Sequence, residues 1–403
     1  MKKICLIGNS VVAARVTELL RAKDQESEIT ILSYEEELPY HRWLLGDLIA
    51  KEISEEQILY KPAAFYKEQN IRVVFGKKIV RVDFKKKKIV TEKKEEFFYD
   101  FLCFTDMPTR LPEMRGISFK EGVYNITRLS DIKKILTILP IIETVSIETR
   151  GLASLKFACA LKKRGKEVIL ITAGESLLSN IFNSEISETV TRQLEGQGVR
   201  IFRNNAITEV LGEGEVKAVR LKTGKVIASQ IVVIDEPGPD LRIFEEGPLE
   251  LKENILADHC LRTNIKNVFA ADAVCTLKEQ VYQKEDAFFL PFLEEQGKVI
   301  TSNLNGEEAF FRPSVRVISM NLLELPLTLI GITKLEAQLQ NTVKIDNQSN
   351  SCQDFLTKDS VVAGAVLLNA EHQKAKVVGA VEQGLTITTL EQNIFGETTA
   401  IPQ

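Results

Sequence analysis

Six cysteines, Cys5, Cys103, Cys159, Cys260, Cys275 and Cys352, lie far apart in a chain of 403 residues, and no CxxC occurs. That spacing writes neither a zinc ribbon nor a redox pair close in sequence. Cys5, Cys103 and Cys159 stand among apolar residues, where a thiol stays protonated and inert. Three histidines, His41, His259 and His372, do not make a His-based metal site, and no local Ser–His–Asp hydrolase motif accompanies them. The pattern that carries chemistry is Gly8-Asn-Ser10-Val-Val-Ala13. A glycine turn of this kind brings a helix N-terminus, with its unpaired amides and positive dipole end, up to a pyrophosphate. Gly8 permits the tight turn and Ala13 the close helix–strand packing. Ser10 sets a side chain where the backbone would touch the phosphate, and its hydroxyl can bond a phosphate oxygen instead.

The surrounding elements suit that turn. Residues 4–7 form an apolar strand, 11–22 have helical apolar spacing and 28–32 form a second strand. Such a βαβ unit builds a parallel sheet. Residues 62–68 predict a helix with Pro62 in its first turn, 71–75 a strand, and 79–104 alternating β-structure with a solvated hairpin tip at Lys85–Lys88. A second βαβ unit opens at Thr144: strand 145–147, helix 152–164 closed by Gly165, and strand 167–172. Helix 185–197 and strands 199–202, 206–210, 216–221 and 226–234 follow. A buried strand at 267–271, a helix at 291–304, strands 315–320, 328–332 and 361–368, and a helix at 377–385 complete the chain.

Composition fixes the class. With 44% hydrophobic and 27% charged residues and a net charge of -4, the chain lacks the basic face of a nucleic-acid binder. Its length exceeds a usual single core. No apolar run approaches the roughly 18 residues of a membrane span. The apolar stretch after Met-Lys-Lys covers only residues 4–7, too short for a secretory signal, so a cytoplasmic protein is expected.

Three further stretches give the chain a family likeness: Glu37-Leu-Pro-Tyr-His-Arg-Trp-Leu-Leu45, Phe104-Thr-Asp-Met-Pro-Thr-Arg-Leu-Pro112, and Asn254 to Asn264 running into Asn267-Val-Phe-Ala-Ala-Asp272. Over essentially its whole length the chain resembles the FAD-dependent pyridine nucleotide–disulfide oxidoreductases, in the branch of rubredoxin reductases, NADH oxidases and nitrite reductase flavoproteins. The resemblance implies an α/β fold of two interleaved Rossmann-like domains plus a C-terminal α+β domain of dimerisation type. The expected boundaries are 1–112 with 235–305 for the FAD unit, 113–234 for the NAD(P) unit and 306–403 for the last domain.

The same resemblance implies FAD bound by Gly8, Ser10, Ala13, Glu35, Arg42, Thr105 and Asp272. Glu35 answers to the ribose acid, or else belongs to a solvated acidic loop, 35–37. Arg42 matches the loop arginine beside the flavin, where it neutralises phosphate or fixes a ring edge; a surface ion pair is the alternative. Thr105 is retained in the motif that closes the FAD unit, but Asp106 stands in place of its glycine. In the last FAD motif, a Gly-Asp pair, Asp272 falls on the glycine and Ala273 on the aspartate. A shift of one residue would deliver Asp272 to the ribitol; otherwise it caps a helix.

The second dinucleotide turn, Thr149-Arg-Gly151-Leu-Ala-Ser154, keeps only Gly151. Glu148 adds negative charge, Lys156 replaces an acid, and Thr172 writes neither NAD nor NADP preference. Arg150 is the one candidate phosphate ligand. Expectation therefore runs against NAD(P)H and against independent NAD(P)H turnover. Residues 43–52 hold no cysteine, so thiol chemistry at the flavin is not expected. Two functions follow. The favoured one is an FAD-dependent oxidoreductase that exchanges electrons with a ferredoxin- or rubredoxin-like protein, a larger redox complex or a weakly bound nicotinamide. The alternative is a non-catalytic scaffold or partner-binding subunit that keeps the fold with one or both cofactor sites lost. The resemblance also implies a homodimer through the C-terminal domain. No catalytic residue is assigned.

Overall fold

The computed structural model describes residues 1–109, 114–116, 121–235, 238–278, 289–312, 314–333, 339–346 and 351–395. They form two compact units, one of residues 1–112, 127–136 and 236–314, the other of 113–126, 137–235 and 315–403.

The first unit is built on strand β1 (Lys3–Ile7), helix α1 (Val11–Lys23), strand β2 (Glu28–Leu32) and strand β3 (Ile71–Val74). β1 pairs in parallel with β2 from Lys3↔Glu28 to Ile7↔Leu32. The five-stranded parallel sheet runs Val268–Ala270, Phe101–Phe104, β1, β2, β3. Nearly continuous apolar runs such as Cys-Leu-Ile in β1 are buried, as a sheet covered on both faces requires. α1 buries Val12, Ala13, Ala14 and Val16 completely. It packs against the helix Leu290–Leu304, where a Cβ at Gly297 would stand 2.6 Å from Arg15 Cγ, so close approach of the two helices needs a glycine. A three-stranded antiparallel meander, Ile79–Asp83, Lys88–Thr91 and Glu96–Phe98, completes what the alternation over 79–104 predicts.

The second unit carries a parallel sheet in the order Arg200–Phe202, Glu167–Ile171, Thr144–Glu148, Ile231–Ile234, Val123–Asn125. One expectation needs correcting. The single strand over 226–234 is two strands, Val226–Ala228 in a small antiparallel sheet and Ile231–Ile234 in the parallel one. The break is made by Ser229, whose Oγ donates to Ile231 O at 2.7 Å and accepts from Ser146 N at 3.0 Å. Beyond residue 315 lies a five-stranded antiparallel sheet, Val317–Leu322, Leu325–Gly331, Val361–Leu368, Ser351–Lys358, Gln340–Asp346. The last two strands escape a hydrophobic-pattern reading, because Gln340–Asp346 is a largely exposed edge and Ser351–Lys358 buries polar side chains. Residues 315–403 cluster with 137–235 in one unit, and the three-domain division remains a proposal.

All six cysteines are free and buried. Burial pushes the thiols of Cys5, Cys103 and Cys275 well above their ordinary range and Cys159 up to about 12. No helix among the described residues is long and apolar enough to cross a membrane.

Candidate functional site

The turn after β1 is made by Gly8, whose φ of +108 lies where side chains are strained. Its amide donates to Leu32 O at 2.9 Å, which ties the turn to the end of β2. A Cβ on Gly8 would sit 2.5 Å from Asp106 N. The turn and the 105–106 loop are therefore packed backbone to backbone. Thr105 fixes that loop, its amide donating to Ile7 O at 2.8 Å and its hydroxyl to the same oxygen at 3.0 Å.

Ser10 takes a role that the sequence does not show. It is the N-cap of α1, and its Oγ accepts from Ala13 N at 3.3 Å. Its hydroxyl also bonds the Asp272 carboxylate. Ala13 is fully buried, as its packing role requires. The first-turn amides of Val11 and Val12 have no intrahelical acceptor, which is the general condition of a helix start.

Arg42 is the centre of the charged site. It opens a short 3-10 turn, Arg42–Leu44. Nη1 donates to Thr127 O at 3.1 Å, while Nη2 pairs with Asp106 and reaches Glu35 Oε1 at 3.3 Å. With a side chain only 18% exposed, this is an enclosed network and not a surface ion pair. Glu35, 5% exposed, is likewise no solvated loop residue, whereas Glu36 beside it is exposed. The Tyr40 hydroxyl lies 2.9 Å from Glu35 Oε2 and accepts from Leu129 N at 3.0 Å. Burial raises the Glu35 carboxyl above its usual range, against the opposing pull of Arg42.

Asp272 occupies the register position of a glycine and also adopts its conformation, with a φ of +60. It does not cap a helix: it begins the 3-10 turn Asp272–Val274, whose cap is Ala271. Its amide donates to Gln296 Oε1 at 2.8 Å, and its Oδ1 accepts from Ala273 N at 2.7 Å. Burial lifts the carboxyl to about 7, helped by the charge of Asp106 and opposed by Arg42 and Ser10. Glu35, Arg42, Asp106 and Asp272 thus meet at the turn of Gly8 and Ser10, although 237 residues separate Glu35 from Asp272 (272 − 35). Sequence reasoning recorded Asp106 only as a departure and missed Tyr40 and Thr127. The signal for Asp106 was present in the loss of a small residue at a tight turn.

In the second unit the corresponding turn has Gly151 as N-cap of the helix Leu152–Lys163. Arg150 Nη2 pairs with Glu148 Oε1 at 3.1 Å. Glu148 Oε2 and Thr149 Oγ1 are buried with no hydrogen-bond partner among the described residues. Among those residues no cluster of three or more His, Cys, Asp or Glu side chains could hold a metal.

A parallel sheet entering a glycine turn, a capped helix start and an enclosed arginine define a dinucleotide-binding class of protein. Residues 2–285 match the family of pyridine nucleotide-disulphide oxidoreductases, and the chain belongs to that family of FAD-dependent oxidoreductases. An NADH oxidase of Methanocaldococcus jannaschii is 22% identical over 83% of this chain and 77% of its own length. A rubredoxin-NAD(+) reductase of Pseudomonas putida is 26% identical over 66% of this chain and 70% of its own length. Against two larger relatives the chain spans about half their length. The covalent putidaredoxin reductase-putidaredoxin complex contains a chain of the same fold, with a TM-score of 0.86 at 16% identity over 100% of this chain and 97% of that one. These relatives are named for NADH and NAD(+), so the expectation against a nicotinamide gains no support from them; nor does the non-catalytic alternative.

The residues at the first turn fit an anionic dinucleotide such as FAD. The Gly8 backbone and the first turn of α1 suit a pyrophosphate, and Arg42 offers a countercharge. Asn9 Oδ1 and the Tyr34 hydroxyl are enclosed without hydrogen-bond partners among the described residues. One feature opposes: Arg42 is already answered by Asp106 and Glu35.

Proposed function

We propose that this protein is an FAD-dependent oxidoreductase that passes electrons between a nicotinamide dinucleotide and a small ferredoxin- or rubredoxin-like protein. The observation that carries the proposal is the enclosed Arg42 beside the Gly8 turn and the start of α1. In this reading Gly8 and the first turn of α1 hold the cofactor's pyrophosphate, with Ser10 capping the helix and Ala13 letting it approach the sheet. Glu35 accepts ribose hydroxyls, Arg42 neutralises phosphate, Thr105 positions its loop and Asp272 faces the ribitol. Bound flavin would supply two-electron and one-electron transfer, and the protein supplies position and electrostatics. Residues 43–52 contain no thiol to relay electrons.

The nicotinamide belongs in the second unit, at the start of the helix Leu152–Lys163, with Arg150 available to a phosphate once it leaves Glu148. The domain limits proposed are 1–112 with 235–305, 113–234 and 306–403, the last as a self-association domain. The names of the relatives and the shared fold support this reading.

The visible spectrum of the purified protein tests it. A near-stoichiometric flavin band that bleaches with NADH is the expected result. Bleaching by dithionite alone would remove the nicotinamide from the proposal. A colourless protein that FAD cannot reconstitute would overturn it and favour the scaffold.

A further inference from the structure

We propose that Asp106 is a built-in anion that competes with the pyrophosphate of FAD for Arg42 and so sets how tightly the cofactor is held. The inference rests on the FAD reading above and concerns this chain's own residues.

Three observations carry it. First, the carboxylate is held at the turn: Asp106 N donates to Ile7 O at 3.1 Å, and the residue packs directly on Gly8. Second, Arg42 turns its Nη2 to Asp106 and Glu35 and its Nη1 to Thr127 O, so an incoming phosphate shares the guanidinium with acceptors already in place. Glu35 has a second donor in the Tyr40 hydroxyl, whose single proton can turn instead to Thr127 O at 3.0 Å. Asp106 has no side-chain donor other than Arg42 among the described residues, so its carboxylate is the anion that holds Arg42 against a phosphate. Third, the charge balance is adverse. One arginine answers the carboxyls of both Glu35 and Asp106 in an enclosed setting, and a diphosphate added to that set meets repulsion that solvent screens weakly. Neutralising Asp106 removes both the competitor and part of the repulsion.

The test is FAD binding by flavin fluorescence to the wild type, Asp106→Asn and Arg42→Met/Asp106→Asn, with riboflavin, which lacks the pyrophosphate, as the second probe. Circular dichroism checks that each variant is folded. Asp106→Asn should bind FAD roughly tenfold or more tightly than the wild type, the scale of one charge-assisted hydrogen bond changing partners. Riboflavin affinity should not change, and the double variant should lose the gain. If the wild type and Asp106→Asn bind FAD equally, or the gain extends to riboflavin, the competition is refuted while the FAD reading stands. If neither folded protein binds FAD, the FAD reading falls and this inference falls with it.

Discussion

Gly8 lies against Asp106 so closely that a Cβ built on the glycine would stand 2.5 Å from the Asp106 amide nitrogen, and its φ of +108 excludes an unstrained side chain. One residue thereby serves two requirements, the reversal of the chain after β1 and the seating of the 105–106 loop. Gly8→Ala should cost about 2–4 kcal/mol, since overpacking against backbone adds to the strain of a positive φ. Urea unfolding measures it, and a loss under about 0.5 kcal/mol would contradict the packing described.

Asp272 holds a left-handed conformation and a buried carboxyl raised to about 7 from 3.8. The folded protein keeps this proton over a range where the unfolded chain has lost it. The associated penalty is absent below the unfolded value near 3.8, grows as pH rises and is complete above about 7. Asp272→Gly should therefore raise stability at pH 8, with about 1 kcal/mol from the relieved backbone alone. The gain should shrink toward pH 4. Thermal melts of both proteins across that range give the comparison, and a gain independent of pH would rule out the titration.

Removing Arg42 leaves Asp106 and Glu35 without their shared cation in an enclosed site. Arg42→Met should destabilise by about 3–5 kcal/mol, and adding Asp106→Asn should restore part of that loss. A double-mutant cycle by chemical denaturation yields the coupling, and additive losses would mean that the pair does not interact.

The six thiols are buried, and those of Cys5, Cys103 and Cys275 are pushed far above neutrality. A thiol reagent such as DTNB should label the native protein slowly at pH 7.5 and all six cysteines once guanidinium unfolds it. Rapid stoichiometric labelling of one native cysteine would expose a reactive thiol where none is expected.

Local sequence was a good guide wherever pattern and backbone demand coincide. The Gly8 turn, α1 and the two strands beside it are written by one glycine, helical apolar spacing and two short apolar runs, and each formed where expected. The same logic failed at 226–234, where Ser229 divides an unbroken β-like run, its Oγ donating to Ile231 O and accepting from Ser146 N of a neighbouring strand. It missed Gln340–Asp346, a strand with little apolar signal because it pairs on one side and faces solvent.

What the sequence by itself determined is the family, the βαβ order and the identity of the eroded positions, because these depend on residue types at short spacing. Only the tertiary structure decided what the erosions do. Ser10 caps α1, since a hydroxyl beside an open first turn finds the Ala13 amide. Asp272 took a glycine-like backbone conformation, with a φ of +60. Asp106 met Arg42 across 64 residues (106 − 42), a pairing set by how the strand ends gather at one edge of the sheet, which no local pattern encodes.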